Sequence, residues 1–269
     1  MNTRVDISSV AAVHNELRAK TPLVQYITNY VSMDIAANVL NAAGASPAMV
    51  HDVHEAGEFA TFASALAINI GTLSPPWVEG MEAAARAANE LGTPWVLDPV
   101  AVGATAYRRE TVMALLEQRP TVIRGNASEI LAIATQTRGG KGVDSTIDAA
   151  AVIDLAVELA GHTDSVVVVS GKTDVVTDGQ RAYLVHGGHD LMPLVTALGC
   201  ASTALVAACN AVEADPVAAS VAGMAILAAA GSLAGIRADG PGSLRWRLLD
   251  ELAGLDDAKI AKHIAVEAL

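Results

Sequence analysis

The chain has 269 residues, 52% hydrophobic and only 17% charged, which excludes a disordered chain and allows a sizeable core. Its formal net charge of −12 repels nucleic-acid backbones and anionic membrane surfaces, so neither is expected as a partner. The two cysteines, Cys200 and Cys209, share one Ala-rich segment and form no disulfide framework, which points to a reducing, cytoplasmic setting.

The start of the chain, from Met1 to Asp6, carries no apolar signal stretch. Periodicity then predicts a helix over Val10–Ala19, a strand at Leu23–Ile27 and a helix at Ser32–Ala43. Strands at Ala65–Ile70 and Pro94–Leu97 flank a helix at Pro76–Leu91. A helix at Ala106–Gln118, a strand at Thr121–Ile123 and helices at Ala127–Thr135 and Thr146–Ala160 follow. Strands at Ser165–Val169, Asp174–Thr177 and Arg181–Val185 precede helices at Gly199–Val212, Pro216–Gly235 and Ser243–Leu252.

Alternation of strand and helix predicts an α/β fold around a mainly parallel sheet. Leu66–Ile70 and Val166–Val169 are apolar at successive positions, as central strands covered on both faces are. The Asp178-Gly179 turn predicts an antiparallel hairpin on the C-terminal side. The uncharged stretch Val217–Ile236 is long enough to span a bilayer. Its Ala, Gly and Ser content, without flanking aromatics or a basic cluster, predicts a buried core helix instead. No linker or repeat divides the chain, so one domain over residues 1–269 is expected.

Two motifs mislead. Ser170-Gly171-Lys172-Thr173 resembles the end of a phosphate-binding P-loop, but Val166 stands where the required first Gly belongs. His51-Asp52-Val53-His54 and His186-Gly187-Gly188-His189 lack metal-site spacing and read as loop histidines.

Four clusters carry chemistry. In Val195-Thr196-Ala197-Leu198-Gly199-Cys200, a loop ending in Gly enters an Ala-rich helix whose free amides can hold a transferred phosphoryl group. Cys200 at that first turn is either a thiol whose pKa the dipole lowers or a small buried hydrophobe. In Arg124-Gly125-Asn126-Ala127-Ser128-Glu129, Asn126 and Glu129 form a capping box, while Arg124 at a strand's carboxyl end points to a ligand crevice. Asp98, before Pro99, also ends a strand, and together with Glu129 it could hold Mg²⁺ through water. Near the N-terminus, Asn29 offers a donor and an acceptor and Met49 an adaptable apolar contact, which suits a small neutral heterocycle.

Read in order, seven stretches resemble hydroxyethylthiazole kinases over nearly the whole chain: Ile27–Val31, Gly44–Met49, Asn69–Leu73, Asp98–Val100, Arg124–Ile130, Gly139–Ser145 and Gly199-Cys200. The resemblance implies a ribokinase-like three-layer fold and ATP-dependent phosphorylation of the hydroxyl of 4-methyl-5-(2-hydroxyethyl)thiazole in thiamine salvage. It also implies Mg²⁺ and a homotrimer whose active sites lie between subunits. Met49 and Gly199 then resemble substrate-binding positions, Arg124 and Ser170 ATP-binding positions, and Asp98 and Glu129 the acidic pair near Mg²⁺. Cys200 stands where most ribokinase-like kinases carry an Asp base. One departure is the Thr196-Ala197-Leu198-Gly199-Cys200 loop, which in the family often reads Thr-Gly-Thr-Gly-Cys. Competing readings are a hydroxymethylpyrimidine or pyridoxal kinase, an ADP-dependent nucleotide-hydrate dehydratase on the same fold, and a silent binding module.

Overall fold

The computed structural model describes residues 5–137 and 149–269. Residues 139–145 and the start of the helix predicted at Thr146–Ala160 lie outside the described residues. In chain order the elements are α1 (Ile7–Lys20), β1 (Leu23–Ile27), α2 (Met33–Ala43), β2 (Ser46–Ala48), α3 (Ala56–Ala60), β3 (Ala65–Asn69), α4 (Pro75–Leu91), β4 (Trp95–Asp98), α5 (Ala106–Leu116) and β5 (Val122–Asn126). There follow α6 (Ala127–Thr137), α7 (Ala149–Thr163), β6 (Val166–Ser170), β7 (Thr173–Thr177), β8 (Ala182–His186), α8 (Leu198–Asn210), α9 (Pro216–Arg237), α10 (Pro241–Ala253), α11 (Asp257–His263) and β9 (Ala265–Ala268).

Local chemistry sets the boundaries. Asp6 caps α1 by accepting the Ser9 amide at 3.0 Å, and Asp215 caps α9 by accepting the Val217 amide at 3.1 Å, with Pro216 at the first helical position. Gly44 (φ 99°) and Gly92 (φ 69°) end α2 and α4 in the left-handed region, where a Cβ is costly.

The sheet order is β2-β1-β3-β4-β5-β6-β7-β8-β9. Strands β2 through β6 run parallel; β7, β8 and β9 are antiparallel additions, and β7–β8 is the hairpin expected at Asp178-Gly179. Alternate residues feed two cores. Val24, Tyr26, Val96, Val122, Val166 and Val168 face one cluster; Ile27, Leu66, Leu97, Ile123, Val167 and Val169 face the other. That period of two explains why central strands read as unbroken apolar runs. The result is the ribokinase-like three-layer arrangement of helices on both faces of one sheet.

Edge strands β2 and β9 escape periodicity. The first is a three-residue strand containing Pro47, and the second exposes Ala265, Glu267 and Ala268. Helix α9 is long and apolar enough to cross a membrane by length and composition, yet 89% of its most apolar window is buried inside the protein. It is the core helix that Val217–Ile236 suggested.

Parallel pairing puts the carboxyl ends of β2 through β6 along one edge. Met49 follows β2, Asn29 follows β1 by two residues, and Asn69, Asp98, Asn126 and Ser170 close β3, β4, β5 and β6.

Candidate active site

At the centre of that edge lies Asp98, 1% exposed. Asn69 Nδ2 and Thr203 Oγ1 both donate to its Oδ2, at 2.6 and 2.7 Å, leaving Oδ1 free of protein hydrogen bonds among the described residues. Burial raises the Asp98 pKa from 3.8 to about 6, against the pull of Arg124 and the Thr203 hydroxyl. Neither Asn69 nor Thr203 was assigned a role from the sequence. Thr203 is four residues beyond Gly199, one turn along α8, and that spacing is the signal that could have found it.

Arg124 is 7% exposed and lines a cavity of about 710 Å³. Among the described residues no carboxylate pairs with its guanidinium, and Nε has no hydrogen-bond partner. Asp98 and Asp174 feel its charge without forming an ion pair with it, so the guanidinium's donors stay available for an anionic ligand in the cavity. Gly199 lets the guanidinium approach: a Cβ there would stand 3.1 Å from Nη1. Ser170 lines the same cavity, and its hydroxyl donates to the Gly125 carbonyl at 3.3 Å. Ser170-Gly171-Lys172-Thr173 is the turn between β6 and β7, not the start of a helix, so the P-loop resemblance is fortuitous.

Helix α8 begins at Leu198, one residue before Gly199, with Ala197 as its N-cap in the left-handed region (φ 63°). Ala197 therefore adopts the conformation that a Gly would take without strain. Cys200 sits within the first turn, and of its two readings the buried thiol is the one favoured: burial, assisted by the nearby Asp98 charge, raises its pKa to about 11. The Cys200 carbonyl accepts the Tyr26 hydroxyl at 2.9 Å. Asn29 Nδ2 donates to Asn69 Oδ1 at 2.8 Å and approaches Cys200 Sγ at 3.5 Å. Asn29 Oδ1 accepts the Val31 and Ser32 amides, both at 3.0 Å. Its polar atoms are thus engaged within the protein, linking Cys200 to the Asn69–Asp98 pair.

Glu129 forms the expected capping box: its Oε2 accepts the Asn126 amide at 2.8 Å, while Asn126 Oδ1 accepts the Glu129 amide at 3.0 Å. Its Oε1 takes the Ala101 amide at 2.9 Å. With Glu129 occupied and Asp98 Oδ1 free, the donor set fits a cation held through water. Among the described residues no three His, Cys, Asp or Glu side chains gather as a direct cage. Met49 packs against the core cluster that contains Leu198 and Ala201. Beyond it His51 stacks on Trp77 at 4.4 Å and Tyr30 meets Trp77 edge-on at 4.7 Å, so His51 is an aromatic-wall residue.

A carboxylate, an unpaired guanidinium and a helix N-terminus on the carboxyl edge of a parallel sheet suit phosphoryl transfer. Comparison agrees. A hydroxyethylthiazole kinase from Rhizobium rhizogenes is 56% identical over 254 residues, covering 94% of this chain and 95% of its own. One from Rhizobium johnstonii is 55% identical over 269 residues and covers both chains completely. The solved hydroxyethylthiazole kinase protein of Pyrococcus horikoshii OT3 superposes with a TM-score of 0.91 at 35% identity, over 97% of this chain and 99% of its own. The family model for hydroxyethylthiazole kinases matches residues 14–258, and with these relatives it establishes that the chain belongs to the hydroxyethylthiazole kinase family.

Proposed function

We propose that the chain transfers the terminal phosphoryl group of ATP to the primary hydroxyl of 4-methyl-5-(2-hydroxyethyl)thiazole. The observation that carries this reading is the unpaired Arg124 guanidinium, held against Gly199 at the start of α8. A phosphate chain would accept the guanidinium's open donors, and the exposed amides at the helix start take the charge that develops on the migrating group. Ser170 and Arg124 would hold ATP in the 710 Å³ cavity.

Phosphoryl transfer passes through a loose transition state, so positioning and charge outweigh early deprotonation. The Cys200 thiol is protonated at neutral pH, so it can only relay: late in the transfer, as the new O–P bond forms and the bond to the ADP oxygen breaks, it takes the hydroxyl's proton while passing its own to a phosphate oxygen, without being indispensable. Asn29 places Cys200, while Met49 and Gly199 back the thiazole. Mg²⁺, held through water by Asp98 and Glu129, would neutralise the phosphates. Tyr30 and Val31 beside the site are 72% and 60% exposed, and a second copy covering them accords with a homotrimer. Two free cysteines accord with a cytoplasmic setting.

A coupled ATP assay tests the reading with hydroxyethylthiazole and the pyrimidine alcohol as paired substrates. Preferential turnover of the thiazole is expected; equal or greater turnover of the pyrimidine would reject it.

A further inference from the structure

Strands β5 and β8, which carry Arg124 and His186, are three strand positions apart, about 14 Å at the usual strand spacing, and His186 stands three residues further along its strand than the position in register with Arg124. The cavity spans that distance. Its β5 end has the guanidinium and the start of α8, which suit phosphates. Its β8 end is lined by apolar Met224, Leu227 and Ala228 of α9, and by the segment of residues 187–194 that connects β8 toward α8.

This connecting segment is seated on α9 with unusual closeness. The Gly188 amide donates to the Ala228 carbonyl at 3.1 Å and to Ser232 Oγ at 2.9 Å; Ser232 Oγ lies 3.1 Å from the Gly188 carbonyl. The left-handed φ of Gly188, 87°, permits the turn. Two side chains then enter α9 where the helix has none. A Cβ on Gly231 would overlap the Met192 sulfur, and one on Gly235 would overlap the His189 ring. Within the segment, the His189 amide meets Met192 Sδ at 3.4 Å and the Leu191 amide donates to His189 Nδ1 at 3.3 Å, so both inserted side chains are tied to the segment's backbone.

We propose that Gly231 and Gly235, which touch no reacting atom, are positioning residues for the nucleobase: by admitting Met192 and His189 they set how deeply residues 187–194 sit and hence the width of the cavity's base end. This rests on the nucleotide reading of the cavity. An alanine at either position favours an isolated helix over glycine, so impairment there reports the lost seat rather than a weakened helix. Pushing the segment outward loosens the base end while the phosphate end, on β5 and α8, stays in place.

The test compares Gly235→Ala, His189→Ala and the double variant, with Gly231→Ala and Met192→Ala as a second set. Gly235→Ala is expected to raise KM for ATP about tenfold. The KM for thiazole and kcat at saturating ATP should stay close to wild type. Hydrogen exchange at residues 187–194 should quicken. Removing the His189 ring relieves the overlap, so the double variant should return KM for ATP to the value of His189→Ala alone. A folded Gly235→Ala protein with unchanged KM for ATP overturns the proposal, as does a double variant no better than Gly235→Ala. If Gly235→Ala fails to fold, the Gly231 and Met192 set decides by the same criteria. The cavity reading fails separately: a non-hydrolysable ATP analogue would then bind wild type without slowing exchange at Gly171 or Gly188.

Discussion

Gly199 and Arg124 form one structural unit: the hydrogen-only position of the first opens the space that the guanidinium of the second fills, 3.1 Å from where a Cβ would stand. Strand β5 delivers the cation and α8 delivers the amides, and their fit depends on a residue with no side chain. Gly199→Ala should displace the guanidinium by a few tenths of an ångström while leaving α8 intact. The expected loss is about 10- to 100-fold in kcat/KM for ATP, the scale of a misplaced positioning group. Steady-state kinetics on a variant with wild-type circular dichroism would check it; unchanged kcat/KM would mean that Gly199 does not govern Arg124.

Cys200 is the second case in which geometry decides the chemistry. With its pKa raised to about 11, the thiol carries its proton throughout the neutral range. Cys200→Ala should therefore lower kcat by about tenfold, less than the 10²–10⁴ typical of removing a general acid or base. The pH profile of kcat should show no thiol limb between about pH 6 and 9. Activity below detection would make Cys200 indispensable, and an unchanged kcat would remove it from proton transfer altogether.

Asp98 sets the acid limb instead. Its folded pKa, about 6, lies above the ordinary 3.8, so the carboxylate is charged above pH 6 and protonated below it. Activity that needs the charge should fall as pH drops through 6. Stability runs the other way: the folded state binds more protons between 3.8 and 6, so the contribution present in acid is lost as pH rises through 6. At neutral pH the charged, buried Asp98 costs on the order of 3 kcal/mol. Asp98→Asn should thus raise Tm at neutral pH while removing most activity. A variant that loses both would show that the hydrogen bonds from Asn69 and Thr203, and not the charge, dominate there.

Strand-by-strand alternation made the centre of the fold readable, because β3 and β6 are apolar at every position before their closing Asn69 and Ser170 and lie between two cores. Edge strands β2 and β9 bury too little to leave a pattern. Motif reading singled out Asp98 at a strand end, Cys200 at a helix start and Arg124, which was expected at a strand's carboxyl end but lies within β5, because pairing with β6 extends the strand to Asn126. It assigned nothing to Asn69 and Thr203, whose importance arises only when β3, β4 and α8 converge on one carboxylate. The choice at Cys200 between a dipole-lowered thiol and a small buried hydrophobe stayed open for a related reason: the helix dipole can be inferred from local sequence, whereas burial comes from the whole chain.

Ala197 offers a direct test of local strain. Its φ of 63° places a Cβ in the left-handed region at the entrance to α8. Such a residue costs on the order of 1 kcal/mol or more, partly offset by the added freedom of Gly in the unfolded chain. Ala197→Gly should leave stability unchanged or raise it by up to about 1 kcal/mol, as read from urea midpoints. A loss of similar size would mean that the Ala197 methyl packs more favourably than its backbone is strained.

His14 in α1 is 1% exposed, and among the described residues neither ring nitrogen has a hydrogen-bond partner. Burial lowers its pKa below the ordinary 6.5, with the nearby Arg18 charge acting in the same direction and Asp257 and Asp256 at the start of α11 opposing both. The unfolded chain then binds the proton more readily than the folded one. The His14 contribution to stability is full above pH 6.5 and is lost as pH falls from 6.5 toward the lower folded pKa. A neutral imidazole with two unmet polar atoms already costs about 1 kcal/mol or more even where it is uncharged. His14→Leu should therefore stabilise the protein at pH 7.5 and flatten the decline in Tm between pH 6.5 and 5. His14 does not line the cavity beside Arg124 and Gly199, so kcat and KM should not change. A variant that is less stable than wild type at both pH values would show that the imidazole contributes more by packing between α1 and α11 than its unmet nitrogens cost.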